Sequence, residues 1–344
     1  MRAAFARQAR SCAALGSPFT AWLCERLGRA LTDGTEVGAR VLAWRGDPSS
    51  DGDSVPLRLC GALHALALSG GDAGLAALYA DPAPSDAAWV TIERAIRERS
   101  DVLKAVLDLP PQTNEVARSG ALWPALALVA ERTGLPLALM EVGASAGLNL
   151  NCDRFAYDLG GRACGDATSP VLLVPEWRGD AFALPDPSIA SRAGCDLRPY
   201  DLTNEAERRR LTAYTWPDQP DRMARQRAAI AIAMARVPPV ERADAVAWLE
   251  RMLAAPAPGA CRTVCTTIAW QYLPEPSRAA GEAIIAAAGE RAVSDGPVAF
   301  VRVEADGAEP GAAITLDLWT AAGHARRALG RADFHGRWVD WRGA

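Results

Sequence analysis

The residues with the clearest chemical potential lie in Leu139-Met-Glu-Val-Gly-Ala-Ser-Ala-Gly-Leu148, where an apolar run ends in an acid and a glycine turn. Small residues let a ligand approach the backbone, and a helix opening at such a turn offers unsatisfied N–H groups and a partial positive charge. A dinucleotide-binding turn needs GxGxxG; here Ser145 holds the middle glycine position and Leu148 the last. The GxSxG spacing of a nucleophile elbow is met by Gly143, Ser145 and Gly147. A serine hydrolase on that plan takes an acid and then a histidine downstream, from Glu304 or Asp317 and from His324 or His335. Its context is different, because several strands precede such an elbow, whereas the chain before residue 136 reads as helical and has no HGGG-type oxyanion segment. The simplest reading of Ser145 is a small turn residue that makes room for something else.

A third chemistry fits better. Glu141-Val-Gly143-Ala-Ser145-Ala-Gly147 resembles the first motif of class I S-adenosylmethionine-dependent methyltransferases, ExGxxxG, with Ser145 in place of the usual central glycine. That resemblance implies S-adenosylmethionine as cofactor, with Gly143, Ser145 and Gly147 beside its methionine moiety and Glu141 reaching its ammonium. A carboxylate ending the second strand is expected to accept from both ribose hydroxyls; Asp196 is assigned that role and Asp158 held in reserve. Asp244, after the third strand, either accepts from the adenine amino group or caps a helix. No metal ligand set is expected.

Methyl transfer asks the protein for an aligned acceptor, a dry pocket and sometimes a base. These come from loops at the carboxyl edge of the sheet, where open α/β folds bind ligands. Trp270 and Gln271 are expected to line an acceptor pocket, and Tyr272 with His335 to be the catalytic residues, because histidine titrates near neutrality. Arg337 lies in the same turn as His335, and the competing reading of that turn is an ordinary surface loop. Asn114, Glu115 and Arg118 share one turn; they read as a structural ion pair of Glu115 with Arg118 or as a polar roof over the site. His64 reads as a core residue, His324 as solvated, and Trp338 and Trp341 as core with the option of lining the pocket beside His335. The Asn/Asp-Pro-Pro-aromatic motif of amino-methylating nucleic-acid enzymes does not occur after the fourth strand.

The elements that must position these residues change character along the chain. Apolar residues recur at helical spacing over 56–80, with a break at Ser69-Gly-Gly71, over 86–109 and over 113–133. From Leu137 onward apolar runs alternate with helical stretches, which predicts strands crossing over through helices in a mostly parallel sheet. Strands are expected at 137–142, 189–197, near 240, and at 262–269, 297–304, 312–320 and 337–341. Helices are expected after the glycine turn and at 204–214, 218–235, 244–253 and 280–288. Residues 156–188, rich in Gly, Pro and Asp, read as an insertion with a hairpin around 171–174. The chain is thus expected to divide into a helical part, 1–111, and a Rossmann-like part, 112–344, whose sheet ends in an antiparallel strand.

Composition narrows the partners. The chain has 344 residues, 50% hydrophobic and 23% charged, and a formal net charge of −4. This suits a globular protein large enough to bury its own core and disfavours nucleic-acid wrapping or membrane-surface binding. No run approaches the ~18–20 apolar residues that span a bilayer, and the arginine-spaced start lacks a secretory apolar core, so a cytoplasmic location is expected. The eight scattered cysteines contain no CxxC pair and read as reduced packing residues.

Several segments together, Arg58-Leu-Cys-Gly-Ala-Leu-His-Ala-Leu-Ala-Leu68, Thr113-Asn-Glu-Val-Ala-Arg-Ser119, Glu141 to Leu150, Trp216-Pro-Asp218 and His335-Gly-Arg-Trp-Val-Asp-Trp341, resemble the bacterial domain-of-unknown-function family 2332 from about residue 10 to the end. That resemblance implies a methyltransferase-like Rossmann domain behind a helical N-terminal part and assigns no reaction. The sequence therefore predicts an S-adenosylmethionine-dependent methyltransferase, or a binding relative, acting on a small molecule. Its rivals are a serine hydrolase using Ser145 and a non-catalytic Rossmann-like binding module. A glycine turn filled by the protein's own side chains favours the module; an open cleft lined by Glu141, Asp196 and Asp244 counts against it.

Overall fold

The computed structural model describes residues 1–292 and 296–343 of a mixed α/β chain. It divides into two compact units. The first comprises Met1–Thr113 together with Thr203–Arg227, a later excursion that a single break at 111 does not include. It is helical among its described residues: α1 (Arg2–Ala14), α2 (Pro18–Ala30), α3 (Glu36–Leu42), α4 (Val55–Leu68), α5 (Ala73–Ala80), α6 (Asp86–Glu98), α7 (Ser100–Leu107), α9 (Glu205–Ala213) and the first half of α10 (Pro220–Ala235). Several of these helices start where a side chain satisfies the first N–H groups: Ser17 accepts from Thr20 N, Asp72 from Leu75 N and Ser85 from Ala88 N. Leu23, Leu27, Leu59, Leu63, Ile92 and Leu103 form the centre of its core. His64 is buried there, its Nδ1 3.1 Å from Ala213 O, and burial lowers its pKa to about 4.

The second unit comprises Asn114–Leu202 and Ala228–Ala344. Its nine-stranded sheet has the order β5-β12-β11-β10-β9-β8-β1-β6-β7. The strands are β1 (Leu137–Val142), β5 (Glu176–Gly179), β6 (Ile189–Asp196), β7 (Val240–Arg242), β8 (Cys261–Thr267), β9 (Val298–Glu304), β10 (Ala312–Thr320), β11 (Gly323–Ala332) and β12 (Trp338–Trp341). The run β7-β6-β1-β8-β9 is parallel, and β10, β11 and β12 follow as an antiparallel meander. Every residue of β8 is buried, as expected of a parallel strand covered on both faces. Helices α8 (Ser119–Thr133), α11 (Ala245–Leu253) and α12 (Glu275–Glu290) flank the sheet; Met140, Val142, Trp248, Val264, Ile285 and Phe300 pack in one core beneath α11 and α12.

Three local expectations change. The expected helix after the glycine turn is a seven-residue 3-10 segment, Leu148–Arg154, broken at Asn151. Strand β11, not foreseen between 320 and 337, is exposed on both faces from Gly323 to Ala328, so no apolar periodicity betrays it. The 156–188 segment builds a small sheet from β2 (Ala156–Asp158), β3 (Ala163–Gly165) and β4 (Leu172–Leu173), where β4 lies parallel to β2 in place of the hairpin expected at 171–174, and it also supplies β5 to the edge of the large sheet. All eight cysteines are free, seven of them buried. No described helix is long and apolar enough to cross a membrane.

Candidate functional site

The parallel strands β1, β6, β8 and β9 all end at one edge, which therefore gathers Glu141, the glycine turn, Asp196, the Thr267–Tyr272 loop and Glu304. The turn winds through left-handed backbone at alternate residues, with φ +73° at Gly143, +56° at Ser145 and +70° at Gly147. Asn114 (+40°) and the β-branched Ile268 (+52°) adopt the same region beside it. Non-glycine residues so placed cost about 1–3 kcal/mol each and persist only where the surroundings dictate them.

Here the surroundings are hydrogen bonds. Gly143 N and Ala144 N donate to Cys195 O at 2.9 and 3.0 Å, and Gly147 N donates to Ala144 O at 2.7 Å. Ser145 N donates to Asp196 Oδ2 at 2.9 Å. Ala146 N and Leu148 N both donate to Asn114 Oδ1, at 3.2 and 3.1 Å. Every backbone N–H from Gly143 to Leu148 thus has an acceptor within the protein. The glycines are also required by packing: a Cβ on Gly143 would lie 2.4 Å from Ala269 Cβ, and one on Gly147 2.6 Å from Pro238 Cγ and 2.8 Å from Val240 Cγ2.

Glu141 is 1% exposed, and its Oε2 has no hydrogen-bond partner. Burial, helped by the nearby Asp196 charge and opposed by Arg118, pushes its pKa up to about 8, so at neutral pH the protonated carboxylic acid predominates. Ser145 Oγ is buried with no hydrogen-bond partner, so no histidine activates it. The Asp317–His324 pair does not converge on it either: Asp317 Oδ1 lies 2.9 Å from His324 Nε2, but Trp319, which pairs with His324, faces the start of β9 at Val298, the opposite edge of the sheet.

The remaining candidates hold structural posts. Asp196 Oδ1 also accepts from Arg198 N at 2.8 Å. Asp158 lies in the small sheet and accepts from Gly161 N, which places it outside the end of β6. Asp244 caps α11, accepting from Val246 N and Ala247 N at 2.9 and 3.3 Å. Glu115 caps a 3-10 turn through Ala117 N, while its carbonyl accepts from Asn149 Nδ2. Arg118 donates to Phe334 O at 2.9 Å and Thr267 O at 3.2 Å. Of the residues expected to form a polar roof, Asn114 covers the turn itself, through Ala146 N and Leu148 N, while the bonds of Glu115 and Arg118 just given run to other segments. His335 and Arg337 donate through their backbone N–H groups to Asp333 Oδ1, and Arg337 also forms an ion pair with Asp333. Trp341 is core, and Arg178 stacks on Trp338.

Trp270 and Gln271 do meet in a cavity. A groove of about 540 Å³ is lined by them and by Arg278, Arg302, Glu304 and Arg326, among others. Trp270 packs edge-on against Phe300 with ring centroids 5.1 Å apart. Tyr272 stands 62% exposed and is not among the lining residues. Glu304 organises the groove's rim: it accepts from Thr266 Oγ1, Ala269 N, Trp270 N and Gln271 N, and burial raises its pKa. The capping roles of Glu304, Asp333 and Asn114 are invisible in the sequence, because the N–H groups that they bind belong to other segments or to turns without a helical signature. Among the described residues no cluster of three or more His, Cys, Asp or Glu is arranged to hold a metal ion.

No curated protein and no solved structure matches the chain. A family profile described as an uncharacterized protein conserved in bacteria matches residues 2–341. The match spans nearly the whole chain, including the turn, its Asn114 and Asp196 acceptors and the groove, so the chain belongs to the domain-of-unknown-function family 2332.

Proposed function

We propose that this chain is a Rossmann-like binding module whose ligand is a small polar molecule taken into the groove between the β8–α12 loop, β9 and β10, and whose glycine turn is a structural element. The observation that carries this reading is the complete commitment of the N–H groups from Gly143 to Leu148. A cofactor bound at a strand-to-helix turn relies on free backbone donors and an open approach; here donors and approach are both occupied, and a 3-10 segment replaces the helix. S-adenosylmethionine does not fit the turn as it is built.

The methyltransferase reading retains two supports. The parallel order β7-β6-β1-β8-β9 is methyltransferase-like, and Glu141 Oε2 and Ser145 Oγ keep unused hydrogen-bonding capacity at the turn. Calorimetry with S-adenosylhomocysteine separates the two readings. The expected outcome is no heat of binding at millimolar ligand; saturable binding with amide shifts at residues 143–148 restores the methyltransferase. Soaking crystals with polar fragments is expected to place density beside Trp270 and Arg278, and fragments gathering at the turn instead overturn the groove.

A further inference from the structure

The groove is lined by the acids Glu282, Glu304 and Asp306 as well as by Arg278, Arg302 and Arg326, so its composition does not say what it takes. The commitments of those groups do. Arg302 donates to Thr315 Oγ1 at 3.2 Å, Glu282 Oε1 at 3.1 Å and Asp317 Oδ2 at 2.7 Å. Arg326 forks onto the two oxygens of Asp317 at 2.9 and 3.0 Å. Asp306 is gripped by both ends of the Arg331 guanidinium, and Glu304 is answered by the hydroxyl and N–H donors of the rim. Each lining carboxylate already has its cation or its donors.

Arg278 differs. It takes part in none of the ion pairs among the described residues, and its Nη1 donates to Gln271 O and Leu273 O, both at 3.2 Å, so two carbonyls fix the guanidinium plane. Its Nε and Nη2, which share one edge of that plane, have no partner among the described residues. That edge accepts a carboxylate or phosphate side-on through two parallel hydrogen bonds. Trp270, which lines the same groove and is 4% exposed, has a buried Nε1 without a partner among the described residues, and Gln271, whose Oε1 accepts from Ala305 N, keeps its amide Nε2 uncommitted. All three are hydrogen-bond donors.

We infer that the groove recognises a small organic anion, a carboxylate or a phosphate monoester, through the Arg278 guanidinium. This rests on the groove being the ligand site. The test uses four small aromatic probes of different charge: benzoate and phenyl phosphate as anions, benzamide as the neutral analogue of benzoate, and benzylammonium as a cation, titrated calorimetrically into the full chain. At least one anion is expected to bind in the millimolar range or tighter, at least tenfold better than the amide and the cation. Which of the two anions binds better identifies the ligand as carboxylate or phosphate. Arg278→Gln is expected to lose that binding tenfold or more, and Arg278→Lys to keep part of it. Gln271→Glu, which retains the acceptor for Ala305 N, adds a repelling charge to the rim and weakens anion binding even if the arginine variants fold poorly. Benzamide or benzylammonium binding as well as the anions, with Arg278→Gln without effect, overturns the anion and leaves the groove standing. No binding by any of the four overturns the groove as well.

Discussion

The glycine turn and the groove lie on the same sheet edge and are built from opposite accounts of their donors. In the turn, six consecutive backbone N–H groups are satisfied by Cys195, Asp196, Asn114 and Ala144, and the glycines make room for Ala269, Pro238 and Val240. In the groove, Arg278 is oriented by carbonyls and retains an edge with no partner among the described residues. Chemical capability follows from what a group has left to offer after folding, and the backbone donors that promise most in the glycine turn are here fully engaged, although Glu141 Oε2 and Ser145 Oγ are not.

The comparison breaks or sharpens by mutation. The largest effect is expected at Gly147. Alanine there must hold a left-handed φ and drive its Cβ against Pro238 and Val240, costing about 2–4 kcal/mol in urea unfolding. Gly161→Ala, at φ +88° with open space around it, should cost about 1 kcal/mol. Equal costs at the two positions would mean that the turn is not packed as described. Next comes Asn114→Ala, which leaves two buried N–H groups without an acceptor at about 2–3 kcal/mol; Asn114→Asp, which preserves the acceptor, should recover most of that loss. A neutral Asn114→Ala indicates a turn free to take a ligand.

The smallest effect is a pH dependence. Glu141 titrates near 8 in the folded chain against its ordinary 4.5. Between these values the folded chain holds a proton that the unfolded chain has released, so stability falls as pH rises through that window. Urea midpoints should decline in the wild type from pH 6.5 to 8, since below 6.5 the lowered pKa of His64 acts with the opposite sign, and should decline less in Glu141→Gln, where Glu304, also raised by burial, still contributes. Identical slopes would place the Glu141 carboxyl in a wetter setting.

Much of the fold was legible. The runs at 137–142 and 262–269 became β1 and β8, whose residues are almost all buried, as in parallel strands covered on both faces, and the run at 189–197 became β6, buried only at Gly194 and Cys195. β11 was not legible, since an antiparallel strand exposed along its first six residues, Arg326 and Arg327 among them, has no apolar stripe to show. The 3-10 segment after the turn escaped for a related reason: Leu148 and Leu150 continue an apolar pattern that fits a helix until Asn151 leaves helical geometry. At the candidate site, the residues bordering the groove at Trp270 and Gln271 were readable from their position after the fourth strand, and Arg278 was not, because its importance lies in a carbonyl pair that only the folded loop brings to it.

The sequence by itself determined the strand, the acid and the glycine turn, since apolar runs, small residues and left-handed positions are local preferences. Whether the turn serves a ligand or the protein was decided only in three dimensions. Asp196 reaches Ser145 N from 51 residues away, and Asn114 reaches Ala146 N from 32. A backbone donor takes whichever acceptor long-range packing delivers, and no local pattern names that acceptor in advance.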